Sequence, residues 1–86
     1  MKSLTSRRFR ELYGDLPDQV KRQARRAYQL FQRNPAHLGL NFKKVDEEQN
    51  IYSARIGLGY RVLGQADGSD IIWFWIGPHG DYDKLL

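Results

Sequence analysis

The chain has no cysteine, which excludes disulfides and thiolate metal sites. Its two histidines, His37 and His79, cannot make a structural zinc site without further ligands, so neither a metal nor another cofactor is expected. Prolines are few: Pro17, Pro35 and Pro78 each fall where one element gives way to another. The longest apolar run, Ile71 to Ile76, is far too short to span a bilayer. The start, Met1-Lys2-Ser3-Leu4-Thr5-Ser6-Arg7-Arg8, lacks the apolar stretch of a signal peptide. Repeats, linkers and low-complexity segments are also missing. These absences lead to the expectation of a soluble, cytoplasmic protein with no membrane partner, built as a single domain over residues 1–86.

At 86 residues the core must be thin, and two Trp, five Tyr and four Phe supply much of it. Charge is spread unevenly. Residues 1–33 carry nine Lys/Arg against three Asp/Glu, giving +6, while residues 34–86 carry five against seven, giving −2. A basic half suits a polyanionic partner, either nucleic acid or an acidic segment of another protein. A solvated helix face that keeps the protein soluble accounts for it equally well.

Phe9, Leu12, Tyr13 and Leu16 recur at the spacing of a short amphipathic helix, with Ser6 as its cap and Gly14 as a left-handed residue at its end. Leu16-Pro17-Asp18 restarts the helix, and from Asp18 to Arg33 the apolar face comprises Val20, Ala24, Ala27, Tyr28 and Phe31. Lys21, Arg22, Arg25, Arg26 and Arg33 fall mostly on the other face. Asn34-Pro35 ends the helix, because the residue before proline is pushed out of the α region. The period then changes. Leu40, Phe42 and Val45 flank Lys43-Lys44 in a short strand, and Ile51–Gly57 and Tyr60–Gln65 alternate as two more. Asp67-Gly68 marks a hairpin turn, after which Ile71–Ile76 reads as a strand covered on both faces. Asp81 to Leu86 forms a helical turn. The expected fold is α+β: a two-helix hairpin packed on an antiparallel sheet of three to four strands, with a short C-terminal helical turn.

The candidate chemistry centres on the turn after Ile56. A three-residue loop, Gly57-Leu58-Gly59 with Gly59 left-handed, pairs residue 56 with residue 60 and sets Arg55 directly opposite Arg61. Like charges so placed are destabilising, which suggests an anion between them. The alternative is that both side chains lie over apolar surface or pair with Asp67, Asp70 or Asp83. One of Lys43 and Lys44 must share that face, although strand lysines also serve as plain edge protection. His79 follows Gly77-Pro78 at the end of the apolar strand, and histidine can both give and take a proton near neutrality. Tyr82, three residues on, lies on the same side if the segment is helical. A solvated histidine and a packed tyrosine are the plainer readings. His37 sits in a connecting loop as a solvated or capping residue.

Taken in order, Leu16-Pro17 with Val20, Asn34-Pro35, Phe42-Lys43, Tyr52-Ser53-Ala54-Arg55-Ile56-Gly57, Tyr60-Arg61-Val62, and Trp75-Ile76-Gly77 with His79 resemble the RelE/ParE toxins of bacterial type II toxin–antitoxin systems. The resemblance implies a RelE-like fold and a toxin neutralised by a separately encoded antitoxin that wraps it with an acidic and apolar surface. It implies, for the nuclease branch, cleavage of mRNA in the ribosomal A site without a metal; the ParE branch instead poisons DNA gyrase, and an inactive member would only bind its antitoxin. Arg61 falls on the family's most widespread strand arginine, Arg55 on a basic position of the nuclease branch, and His79 on a C-terminal histidine that serves some nuclease members as acid or base. Tyr82 lies near a C-terminal aromatic. Lys43, Lys44, Arg22, Arg25 and Arg26 are then candidates for RNA phosphate binding. Two positions depart from the nuclease pattern: Ser53 stands where a second basic residue is common, and Gly80 where an arginine often follows the histidine.

Overall fold

The computed structural model describes residues 2–85; Met1 and Leu86, the latter part of the expected C-terminal turn, lie outside them. Its elements are β1 (Lys2–Thr5), α1 (Arg7–Gly14), α2 (Asp18–Arg33), a 3-10 turn at Leu38–Leu40, β2 (Lys43–Asp46), β3 (Ile51–Ile56), β4 (Tyr60–Asp67), β5 (Asp70–Pro78) and α3 (His79–Leu85). Ser6 caps α1 as its residue type suggests, its Oγ accepting the Phe9 N–H at 3.1 Å. The left-handed exit expected at Gly14 does not occur: the cap is Asp15, in ordinary right-handed geometry. Asp18 occupies the first turn of α2 and Arg33 the last, each at the dipole end that suits its charge. Asn34 ends α2 in extended geometry before Pro35. His37 caps the 3-10 turn, its Nδ1 accepting the Gly39 N–H at 3.0 Å.

The α+β class and the antiparallel meander are as the periodicity predicts, and the sheet gains one strand. Its order is β1-β5-β4-β3-β2, with β1 parallel to β5 and every other pair antiparallel. Lys2–Thr5 is too short and too polar to announce a strand. It forms one because the far edge of β5 offers unpaired backbone from Asp70 to Trp73. β5 also runs two residues beyond Ile76, since Gly77 still pairs with Arg61, and Pro78 with Tyr60 at the last position.

Strand alternation sends Tyr52, Ala54, Ile56, Tyr60 and Val62 toward the helices and Ser53, Arg55, Arg61 and Leu63 away from them. A bulge at Phe74, which no residue of β4 faces, changes the phase of β5. Trp73 and Ile76 thereby both reach the helix side, while Trp75 faces the other way, opposite Leu63. The helix-side core is aromatic at one end. Phe31 meets Trp73 at 5.4 Å and Phe42 at 5.0 Å, both edge-on, and Phe42 stacks on Tyr52 at 4.9 Å. Gly64 makes this possible, since a Cβ there would stand 2.6 Å from the Trp73 ring. Among the described residues, no helix is long and apolar enough to cross a membrane.

Candidate functional site

The β3–β4 hairpin has the register expected of a three-residue loop, with Ile56 paired to Tyr60 and Arg55 directly opposite Arg61. The left-handed glycine, however, is Gly57 (φ 57°) rather than Gly59. Gly57 is further tied to its place by Gln23, whose side-chain oxygen would lie 2.7 Å from any Cβ added there. The next strand is locked to this turn, as the His79 N–H donates to the Gly59 carbonyl at 2.8 Å. That bond starts α3 beside the hairpin and lays the helix across the sheet face that carries Arg61.

α3 buries one side chain on that face, Tyr82. Its hydroxyl donates to Ser53 Oγ at 3.5 Å, the long limit of a hydrogen bond, and Ser53 is fully buried. The Arg61 guanidinium lies over the Tyr82 ring at 5.6 Å, and the His79 ring stacks on the same tyrosine at 5.8 Å. His79 Nε2 stands 3.4 Å from Asp83 Oδ1 across one helical turn. One nitrogen of Arg61, Nη1, is buried and has no hydrogen-bond partner. A buried cationic donor without an acceptor is costly, and the group that would satisfy it is an anion.

Arg61, Tyr82 and His79 are therefore brought together, with exposed Arg55 opposite Arg61 in the ladder. Of the two lysines, Lys43 belongs with them, because it pairs with Ser53 on the same face. Lys44 does not: it pairs with Tyr52, lies 5.5 Å over the Tyr52 ring, and is ion-paired with Glu47 at 3.6 Å. Arg22, Arg25 and Arg26 ride on α2, across the sheet from Arg61; Arg25 donates to the Tyr13 hydroxyl at 2.8 Å and links α2 to α1. Ser53 is the participant that sequence reasoning missed as one. It registered there only as the absence of a basic residue, and nothing in its neighbours signals that a tyrosine from 29 positions away bonds to it.

This arrangement can hold an oxyanion between guanidinium groups at Arg61 and Arg55, with an ammonium at Lys43 near one end and an imidazole at His79 near the other. Among the described residues no three His, Asp or Glu side chains converge as a metal site.

A family model described as the ParE-like toxin domain matches residues 18–84. Solved structures share the fold at low identity. The toxin–antitoxin complex RelB-RelE from Methanococcus jannaschii includes a chain with 19% identity and a TM-score of 0.75, covering 96% of this chain and 98% of that one. YafQ from E. coli gives 8% identity and 0.73, covering 94% and 96%. The isolated RelE toxin of E. coli gives 14% and 0.69, covering 99% and 98%. No curated protein matches in sequence.

Proposed function

The chain belongs to the ParE-like toxin family, and on that premise we propose that it is the toxin of a type II toxin–antitoxin system that cleaves mRNA on the ribosome without a metal. The observation that carries this reading is the buried, unpartnered Nη1 of half-buried Arg61, on a face shared with Arg55, Lys43, His79 and Tyr82. The fold it shares with RelE and YafQ supports it.

In this mechanism the ribose 2′-OH attacks the adjacent phosphorus. The bond from phosphorus to the 2′-oxygen forms, the bond to the 5′-oxygen breaks, and the products are a 2′,3′-cyclic phosphate and a 5′-OH. Arg61 and Arg55 stabilise the charge that develops on the phosphoryl oxygens. His79 protonates the departing 5′-oxygen, and the Asp83 carboxylate, 3.4 Å from its Nε2, orients the ring. Lys43 steers the backbone and the 2′-OH proton passes to water, while Tyr82, buried beneath the Arg61 guanidinium, seats that side chain on the sheet face. Arg22, Arg25 and Arg26 attract ribosomal RNA at long range from the helix side. The protein acts in the cytoplasm, and its cognate antitoxin neutralises it there.

A second reading has support of its own. Ser53 is buried under Tyr82, so the second basic residue common in nuclease members is missing, and the matching model is ParE-like. Both favour a non-nuclease toxin that binds DNA gyrase. Primer extension on a reporter transcript after a brief pulse of toxin without antitoxin separates the two. New 5′ ends at codon spacing, confined to the translated transcript, are the expected result. Arrested growth with intact RNA would move the assignment to gyrase, and normal growth with intact RNA to an inactive, antitoxin-binding member.

A further inference from the structure

The helix side of the sheet is filled unevenly. Phe31 packs on Trp73, but two turns earlier α2 turns the small Ala24 inward, and the nearby strand β1 offers it Ser3 and Thr5. Small side chains facing small side chains leave a cleft of about 290 Å³, walled by Phe9, Tyr13, Tyr28 and Trp73. That volume suits a molecule of one or two rings, at the lower end of small-ligand sites. Trp73 is 6% exposed, and its Nε1 has no hydrogen-bond partner. The Cε3 edge of the indole lies against Gly64 of β4, 2.6 Å from where a Cβ would stand. Nε1 is on the opposite edge, so it points away from β4 and toward β1, where Ser3 and Thr5 line the cleft. The mouth is rich in donors. Arg25 donates to the Tyr13 hydroxyl and Gln32 to the Tyr28 hydroxyl at 3.2 Å, so both phenols keep their own protons to give. Among the described residues, no carboxylate lines the cleft, and Arg25 is its one cation.

We propose that this cleft is a binding site for a small heteroaromatic carboxylate, its ring among Phe9, Tyr28 and Trp73 with an acceptor atom toward Nε1, and its carboxylate on Arg25. The chemistry selects the occupant. Aromatic walls favour a flat ring, and a buried N–H without an acceptor favours a ring that carries one. An all-carbon ring would cover the same apolar surface and leave Nε1 unpaired. The guanidinium at the mouth matches a planar carboxylate in two parallel hydrogen bonds. An RNA strand needs cations spaced along its backbone, and the lining supplies one. A second copy docking through the same cleft would set Arg25 against its own image. The site lies across the sheet from Arg61 and does not depend on the toxin reading.

The test is a nuclear magnetic resonance titration of the whole, isotope-labelled chain with quinoline-6-carboxylate, whose ring nitrogen and carboxylate lie at opposite ends. The chain gives two indole N–H signals, from Trp73 and Trp75, which Trp73→Phe assigns. The Trp73 signal should move downfield as its proton gains an acceptor, with a dissociation constant of about 1 mM or below. Naphthalene-2-carboxylate, the same shape without the ring nitrogen, should bind about tenfold more weakly and leave that signal near its starting position. Arg25→Met should weaken the quinoline acid by about tenfold while leaving the affinity for uncharged quinoline unchanged. Ala24→Leu, which fills the cleft, should abolish binding; circular dichroism checks its fold, and the Arg25→Met comparison stands without it. No movement of the Trp73 signal at about 10 mM acid, or equal affinity for the two acids, would overturn the proposal. So would the same movement produced by a single-stranded RNA oligonucleotide, or a wild-type dimer that the quinoline acid dissociates. Intact RNA in primer extension would sink the nuclease reading alone, since the acid titration contains no RNA.

Discussion

The two faces of one sheet are built on opposite terms. Toward the helices, Ala54, Ile56, Val62, Trp73 and Ile76 are buried among α1, α2 and the Phe31–Phe42 pair, in ring contacts that fill space. Away from them, Arg55 and Arg61 stand opposite each other, and α3 covers Arg61 through a single buried tyrosine on a long hydrogen bond. Each face has an orphan donor. The Trp73 indole nitrogen is unpartnered on the first, and Arg61 Nη1 on the second. A neutral donor among aromatic rings is a modest burden; an unmatched nitrogen of a charged guanidinium is a larger one. Adjacent residues of the same strands thus do different jobs, and stability is concentrated on one side so that the other can hold a charge in readiness.

If this division is right, a mutation on the helix side should damage the fold, and one on the opposite side should damage only activity. The largest effect is expected of Phe31→Ala. Phe31 is 4% exposed and touches both Phe42 and Trp73, and its truncation should reduce unfolding free energy by about 3–5 kcal/mol, read by urea titration. Arg61→Met is the complement. It keeps an unbranched apolar side chain beside Tyr82 and removes the unpartnered charged group, so the urea midpoint should hold or rise while RNA cleavage falls by about 10²–10³-fold. A midpoint that fell as far as that of Phe31→Ala would make Arg61 a structural cation and erase the contrast.

Much of this division is legible in the sequence, because alternation is a strong signal where a strand has one dry face. Tyr52-Ser53-Ala54-Arg55-Ile56 and Tyr60-Arg61-Val62, joined by three residues, were enough to set the register that opposes the two arginines. Three things were not legible. β1 is four residues whose strand character comes from the edge it joins, not from its own pattern. The bulge at Phe74 hides inside a uniformly apolar run, in which no polar residue marks a change of phase. The seat of Tyr82 on Ser53 is a contact across 29 positions between two residue types common anywhere. The sequence signals also placed His79 on a loop, whereas its backbone bond to Gly59 makes it the first residue of α3.

Gly64 allows the helix side to be disturbed without deleting anything from it. A methyl group at this position meets the Trp73 ring at 2.6 Å and the Ile71 side chain at 2.8 Å, and both belong to the buried core. Gly64→Ala should reduce stability by about 1–3 kcal/mol through overpacking, with a near-ultraviolet circular dichroism change as Trp73 shifts. Cleavage by the folded fraction should stay near wild type. An equal loss of cleavage per folded molecule would mean that the core side sets the geometry of the charged side more tightly than the two-faced reading allows.

The smallest effect bears on what holds α3 over the charged face, and a double-mutant cycle isolates it. Tyr82→Phe keeps the ring beneath Arg61 and beside His79 but removes the donor to Ser53; Ser53→Ala removes the acceptor. At 3.5 Å the bond lies at the weak end, so each single variant should reduce stability by about 1 kcal/mol or less. If the hydroxyls serve each other, the double variant should be no less stable than the worse single one, because the second change removes a group already without its partner. Additive losses would mean that Ser53 contributes by packing alone and that Tyr82 is held by its ring contacts. Cleavage offers the second readout: Tyr82→Phe should stay within about tenfold of wild type, while Tyr82→Ala, which takes the ring from under the guanidinium, should fall further. That ordering would locate the tyrosine's contribution in its aromatic surface and assign its hydroxyl to anchoring the helix.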